Sequence, residues 1–401
     1  MNREFDILIG GGGMVGLTIA LLLAQGDAHD QLRITVVDAG KRPSFSPDQD
    51  VSLRVSAIAS GTASLLARMG IWDRITDARG CPFRDMIVWD AMGSAEGPET
   101  LRFDAAEFAV PELGFIIENI LIQDALLAAL DATNVSINYE TRIKSVKKSG
   151  ERYVVEYGSG ETMTPELLIG ADGASSFIRN SACITVKTWK YSQTAFVTHL
   201  QPELSHRNTA WQRFLKNGPV ALLPLSDGRV STVWTTTPEQ AEELSTVPEE
   251  QMAALLTDAT DGVLGNLTAS GPRGSFPLKS QHAHRYVLEG LALLGDAAHA
   301  VHPLAGQGAN LGMADARVLA DVLAGALAAG EHPGDLPMLR RYERARKIAN
   351  KSMLHFIDAL NRLFSNESTA LARLRGAGMA LFNKSGPIKE YAVQVALGIR
   401  G

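Results

Sequence analysis

The chain has 401 residues, 45% hydrophobic and 20% charged, proportions of a soluble globular protein with room for two or three domains. A formal net charge of −6 and no long basic run argue against nucleic acid as a partner. Cys81 and Cys183 stand in no metal or redox spacing and read as small core fillers in a reducing compartment. No apolar run reaches about 18 residues, so no membrane span is expected. The chain opens on a strand, so no signal peptide is expected either, and the expected setting is cytoplasmic.

Residues 5–9 (FDILI) form a compact apolar strand, followed by four glycines and a helix opening at Leu17. Gly11, Gly13 and Gly16 have the G-x-G-x-x-G spacing. The first allows a tight turn, the second lets pyrophosphate approach the backbone, and the third lets helix pack on strand. A second strand, RITVV, ends at Asp38, the distance at which an acid meets a ribose hydroxyl. The glycine string alone is weak. Strand, glycines, helix, strand and acid in one unit predict an adenine dinucleotide site.

A Pro/Ser/Asp stretch over 41–50 reads as an exposed loop. Arg54 precedes a short apolar run and a helix expected over 62–69; it is a surface residue or a bidentate phosphate ligand, at even odds. Further on, 86–89 predicts a strand, 119–130 a helix, and 135–139, 152–157 and 167–169 strands. The last runs into Asp172 and Gly173, a second acid at a strand end, with Ser176 and Arg179 behind it.

Residues 183–277 change character. Segments 186–200, 210–215, 220–225 and 229–237 are β-like, with Ser226-Asp227-Gly228 as a hairpin signal. Trp211, Phe214 and Trp234 are pocket or core aromatics, core being the commoner fate. His199 and His206 read as structural. Residues 239–257 read as an acidic, solvated helical face.

The segment GLALLGDAAHAVHPLAGQGANLG, residues 290–312, is the centre of the reading. A buried strand ends at Gly295 and Asp296, placing a carboxylate where ligands sit in open α/β sheets. Pro303, Gly306 and Gly308 then let backbone approach a ligand closely. Asn310 is expected to N-cap a helix from Leu311 to about residue 329, whose positive end suits a ligand that becomes anionic. Helices over 338–363 and 371–382 follow, then an apolar tail, 391–399. The tail is open to packing on the body, to an oligomer interface, or to a membrane surface, with packing as the default.

GGGGMVG, LRVSAI, GADGASSFIR, NTAWQRFL, ALLPLSDG and GDAAHAVHPLAGQGANLG together resemble one family along almost the whole chain. It is that of the FAD-dependent aromatic-ring hydroxylases of ubiquinone biosynthesis, group A flavoprotein monooxygenases with the p-hydroxybenzoate hydroxylase fold. The resemblance implies an α/β fold: a Rossmann-like FAD-binding domain with an inserted, mostly antiparallel β-sheet substrate domain and C-terminal helices. The divisions expected are 1–74, 111–182 and 278–337 for FAD, 75–110 and 183–277 for substrate, and 338–401 for the helical end.

By the same resemblance Gly11, Gly13 and Gly16 hold the pyrophosphate of FAD, Asp38 the adenosine ribose, and Arg54 the phosphates. Asp172 and Gly173 match a motif serving FAD and the nicotinamide nucleotide. Asp296, beside Gly295, meets the ribityl or pyrophosphate part, and Pro303 with Gly306, Gly308, Asn310 and Leu311 lines the flavin ring. Ser52 departs from the aspartate usual two residues before the arginine. The implied reaction takes electrons from NAD(P)H and one oxygen atom from O2 to hydroxylate a polyprenylated phenol. No metal is expected and no general base is assignable; His299 and His302 lie in the cofactor segment without an assigned role. A membrane-borne substrate implies peripheral contact at the inner face of the membrane, membership of a biosynthetic complex, and an open question of homo-oligomers. Two rivals stand beside this: a flavin hydroxylase of a small soluble aromatic, and a non-catalytic FAD-binding accessory protein.

Overall fold

The structure is a computed structural model that describes residues 4–301, 307–364, 378–379, 381–383 and 385–398. Phe5–Gly10 is almost wholly buried because its apolar side chains face both ways, as the centre of a parallel sheet requires. The six strands run in the order Val287–Leu288, Leu291–Leu293, Leu167–Gly170, Phe5–Gly10, Leu32–Val37 and Ser136–Asn138. All neighbours are parallel except the first pair. Helix Met14–Gln25 packs against Asn119–Leu130 and Gln307–Ala328, and its Leu17, Ile19 and Leu21 join one core with Ile7, Leu168 and Leu319. That core fixes the carboxyl ends of three strands side by side, where Gly10, Gly170 and Leu293 lie in register.

A second sheet of eight strands is ordered His299–Ala300, Leu267–Ala283, Val186–Pro202, Val230–Thr236, Gly218–Pro224, Thr209–Leu215, Asp85–Asp90 and Leu101–Asp104. It is antiparallel apart from the pairing of Thr209–Leu215 with Asp85–Asp90. The hairpin expected at Asp227-Gly228 is present: Gly228 has φ +87°, and the Asp227 carboxylate accepts from the Arg229 backbone N–H at 3.0 Å. A mixed α/β chain with a parallel nucleotide-type sheet and a large antiparallel one is the architecture that the resemblance implied.

Several expectations are corrected. The acidic stretch 239–257 is two helices, Pro238–Thr246 and Glu249–Ala259, parted at Val247-Pro248. They are not merely a solvated face. Leu244, Met252 and Leu256 are fully buried with Phe196 and Trp234, and the glutamates face out. Strand Leu267–Ala283 gave no β signal because Gly271, Pro272, Gly274 and Pro277 interrupt it, yet it spans 17 residues and carries the large sheet past residue 277. Strand Ile143–Ser149 was hidden by its lysines. Helix Leu336–Phe364 matches expectation, whereas most of 371–382 lies outside the described residues.

Cys183 is exposed, not a core filler; it follows the short helix Phe177–Ser181 with φ +55°. Cys81 is buried, and burial pushes its thiol up to about 11. A thiol reagent at pH 8 is therefore expected to modify one cysteine quickly and the second only on unfolding. Two equally fast thiols would contradict this placement.

The tail forms helix Pro387–Ala396 and lies on the body. Val393 and Leu397 are buried with Phe83, Ala210 and Leu225, and Leu397 accepts from the Gly61 N–H at 2.8 Å.

Candidate cofactor-binding site

The glycine loop leaves Phe5–Gly10 and enters helix Met14–Gln25 with each glycine doing a different job. Gly11 has φ +112°, and a Cβ on it would stand 2.3 Å from the Ala171 carbonyl oxygen. A Cβ on Gly16 would stand 1.9 Å from the Gly11 oxygen, so helix and turn touch only because neither has a side chain. Gly13 differs: among the described residues nothing lies within 4 Å of its Cβ direction, and it N-caps the helix with no side-chain hydrogen bond. No side chain caps the first N–H groups of that helix. An orphaned helix N-terminus beside an unobstructed glycine is what a pyrophosphate needs, and the residues present fit FAD there.

Asp38 closes the unit. Its carboxylate accepts from the Gly12 N–H and the Gly40 N–H, both at 2.7 Å, leaving further lone pairs for a ribose hydroxyl. Tyr139 was not anticipated here. Its hydroxyl donates to the Gly12 carbonyl at 2.9 Å, and a Cβ on Gly12 would meet it, which explains the fourth glycine.

The other two strand ends converge on the same edge. Asp172 braces the helix Phe177–Ser181, accepting from the Oγ of its N-cap Ser176 at 2.5 Å and from the Ile178 N–H at 3.0 Å, while Gly173 turns with φ +78°. Buried Arg179 donates to the carbonyls of Ala174 and Ala297, both at 3.1 Å. Gln281 of the long strand donates to Ala174 at 2.6 Å and to the Asp296 carbonyl at 3.2 Å. Four hydrogen bonds from two side chains thus tie the loop at Ala174 to the one at Asp296 and Ala297. Asp296 itself is open to the groove, although the protein around it is dense. Desolvation raises its pKa, with the positive charges of His299 and Arg54 opposing.

Behind this edge lies a buried polar cluster that sequence reasoning missed. Asp315 is fully buried on helix Gln307–Ala328 and accepts from four donors: His299 Nε2 at 2.5 Å, Arg346 Nε at 2.7 Å, Asn350 Nδ2 at 3.0 Å and the Gly295 N–H at 3.1 Å. Burial alone would push the carboxyl up, but His299, Arg346 and Asn350 overcome it and hold it down at about 2. His299, expected to have no assigned role, here links the cofactor segment to the long helix. An acid at Asp315 in a mostly apolar helical run, MADARVLADVLA, was the available signal.

The helix begins at Gln307, one turn before the expected start, so Asn310 is not its N-cap. Asn310 is inside the helix, and its buried amide accepts from the Ala59 N–H at 3.0 Å and donates to the Ala57 carbonyl at 2.8 Å. It stitches the helix to strand Val55–Ala59. Leu311 is likewise inside, its carbonyl accepting from Arg346 at 3.4 Å. Gly308 sits in the first turn, with Val301 alone among the described residues near its Cβ direction. Pro303, Gly306 and His302 lie outside the described residues.

Arg54 is exposed, with its guanidinium 5.9 Å from the Phe276 ring centroid. The aspartate missing at Ser52 has a neighbour in its place, since the Ser52 N–H donates to buried Glu118 at 2.5 Å. Trp234 and Phe214 are core aromatics, with Trp211 partly buried. Phe214 joins Val88 and Met379 against Val301, forming an apolar wall beside the segment that leads into residues 302–306. His206 is structural, bonded to Leu225 and Asn208. His199 is buried and neutral, its pKa lowered to about 4 by burial and then by Arg229.

A strand-end cradle with a helix N-terminus that no side chain caps fits FAD, and the family comparison agrees: residues 4–356 match the FAD-binding domain family. The chain belongs to that family, in the branch of the ubiquinone-biosynthesis hydroxylases, and is an FAD-dependent monooxygenase. It is 37% identical over 401 residues to 3-demethoxyubiquinol 3-hydroxylase of Escherichia coli, covering 99% of this chain and 100% of that one. It is 37% identical over 398 residues to the ubiquinone hydroxylase UbiL of Rhodospirillum rubrum, covering 99% and 90%. Among solved structures, p-nitrophenol 4-monooxygenase of Pseudomonas putida superposes with a TM-score of 0.78 at 19% identity, covering 99% of both chains. At that identity it speaks for the fold alone.

Proposed function

We propose that this protein hydroxylates the aromatic ring of a quinol-type, polyprenylated intermediate of ubiquinone biosynthesis, consuming O2 and NAD(P)H. The observation that carries the reading is end-to-end identity of 37% with a quinol hydroxylase, joined to a cradle whose glycines leave room for a dinucleotide. Bound FAD supplies the redox chemistry, accepting hydride from NAD(P)H and activating O2.

The chain's own residues then have three tasks. Gly11, Gly13 and Gly16 seat the pyrophosphate against the helix N-terminus, and Asp38 accepts from the adenosine ribose. Asp296 and Arg54 face the middle of the cofactor, with Gly173 giving the turn its backbone clearance. The positive end of helix Gln307–Ala328, reached through Pro303, Gly306 and Gly308, stabilises negative charge on the ring system. Val88, Phe214, Met379 and Val301 keep that side dry, which the oxygen chemistry needs. Residues 1–74, 111–182 and 278–337 act as the cofactor unit, 75–110 and 183–277 as the substrate unit. The substrate's tail belongs in lipid, so the protein works at a membrane surface; no helix among the described residues is long and apolar enough to cross one.

The test is oxidation of NADH and of NADPH by the FAD-loaded protein with a short-chain prenylphenol, with the product analysed by mass spectrometry for one added oxygen. Turnover with simple benzoates alone would overturn the substrate class. Absence of flavin reduction would overturn the enzyme reading itself.

A further inference from the structure

Helix Leu336–Phe364 carries a second feature outside the cradle. Arg340, Arg344, Lys347 and Lys351 recur at four-, three- and four-residue spacings, which places them on one stripe of the helix. The opposite side is buried through Leu339, Tyr342 and Asn350. Arg340, Arg344 and Lys351 are exposed and have no carboxylate partner among the described residues, in a chain whose net charge is −6. Beside the stripe stands Ile348, 73% exposed, among the most exposed large aliphatic side chains of the described residues.

At the edge of the stripe the helix meets strands Val186–Pro202 and Leu267–Ala283 around a cavity of about 370 Å³. Lys187, Lys347, Lys351, His284 and His355 line it, and among the described residues no carboxylate does so. Deep in its wall is Ser280, 1% exposed, whose hydroxyl has no hydrogen-bond partner. A buried hydroxyl left unpaired costs about 1–3 kcal/mol, so an unpaired one facing a cationic recess points to a ligand oxygen. His282 in the same wall is held down at about 4 by burial and then by the charges of His299, Lys347 and Lys351; it is neutral at pH 7 and bonded to Tyr286. The recess is cationic through its lysines.

We propose that this helix face docks the enzyme onto an anionic phospholipid surface, with the cavity between Lys187, Lys351 and Ser280 receiving a headgroup phosphate. The inference rests on the lipid-borne substrate proposed above. It assigns the contact to a different element from the tail, whose Val393 and Leu397 are committed to the body. A soluble phosphate ester would satisfy the cavity but leave the exposed Arg340, Arg344 and Ile348 without purpose. A lipid surface uses the stripe and the aliphatic side chain as well.

The experiment is co-sedimentation of the FAD-loaded protein with phosphatidylcholine vesicles, with and without phosphatidylglycerol. Wild type is expected to bind only the anionic vesicles and to release as salt is raised. The double variant Arg344→Glu/Lys351→Glu should bind about 30-fold more weakly or worse, from the per-residue contribution of basic groups at such surfaces. Lys147→Glu/Lys148→Glu, the same charge change on exposed positions of strand Ile143–Ser149, outside both the helix and the cavity lining, should bind as wild type does. Should the double reversal disturb folding, Lys351→Gln alone, at about fivefold, gives the same reading. Equal binding by all variants, or no binding by wild type, overturns the proposal. So does tight binding of inorganic pyrophosphate at the cavity without vesicle binding, which would assign it to a soluble ester. Vesicle binding needs no turnover, and hydroxylation of a short-chain phenol needs no vesicles, so either reading can fail alone.

Discussion

Replacing Asp315 with asparagine is expected to destabilise the protein by about 3–5 kcal/mol and to loosen its hold on FAD, although residue 315 touches no part of the groove. The four donors around Asp315 are arranged for an acceptor with two oxygens. An asparagine offers one oxygen and one NH2, so a donor faces donors on one side whichever way it flips. The Arg346 side chain, 11% exposed, is left without its counter-charge. A chain of this size should lose about 5 °C in Tm. FAD retention should fall because the Gly295 N–H, held by Asp315, sets the turn that presents Asp296. The matched change Asp321→Asn, on an exposed position of the same helix, should leave both readouts alone. An Asp315→Asn protein that melts and retains FAD as wild type does would remove the cluster from any role in shaping the cradle.

The same carboxylate sets an acid limit. Its folded pKa, about 2, lies below the ordinary aspartate value, so its contribution is fully present above about pH 4 and is lost as pH falls through 2. Wild type should forfeit about 2 kcal/mol over that window relative to Asp315→Asn, which has no such proton to take up. Parallel acid-stability curves for the two proteins would show that the depression is absent.

What could be read in advance follows the range over which the causes act. The unit from Phe5 to Asp38 was legible because strand, turn and helix are each specified within a few residues: apolar run, glycines, apolar helix. Helix Asn119–Leu130 was legible to the residue for the same reason. Leu267–Ala283 was not, because its pairing with Val186–Pro202 overrides four turn-type residues, and pairing partners do not show in a single strand. Asn310 was misjudged on the same grounds. Its side chain looks like a cap when only the helix is considered, and its real partners, Ala57 and Ala59, lie about 250 residues earlier. At the candidate site the glycines and strand-end acids proposed to hold the ligand announced themselves through spacing. The residues that hold them, Arg179, Gln281, Asp315, Arg346 and Tyr139, act through tertiary contacts and left almost no local trace.

The glycine loop allows a sharper separation between what folds the protein and what binds the cofactor. Gly16→Ala places a methyl 1.9 Å from a backbone oxygen of Gly11 and 3.4 Å from the Ala171 Cβ. Neither neighbour is the far end of a flexible side chain, so the helix must lift off the turn at a cost of about 3 kcal/mol or more. Gly16→Ala should therefore yield little folded protein, or folded protein with a lowered Tm even before FAD is added. Gly13→Ala should behave in the opposite way. Gly13 has φ −80° and ψ 179°, a conformation alanine adopts freely, and no atom of the described residues lies within 4 Å of the added methyl. The apoprotein should be as stable as wild type, or stabilised by about 0.4–1 kcal/mol through the unfolded chain. Yet the methyl enters the space through which the pyrophosphate would pass, so FAD affinity should fall at least tenfold, read by flavin fluorescence on titration of apoprotein. A Gly13→Ala protein that binds FAD as tightly as wild type would mean that the open ground above this glycine is not where the dinucleotide lies.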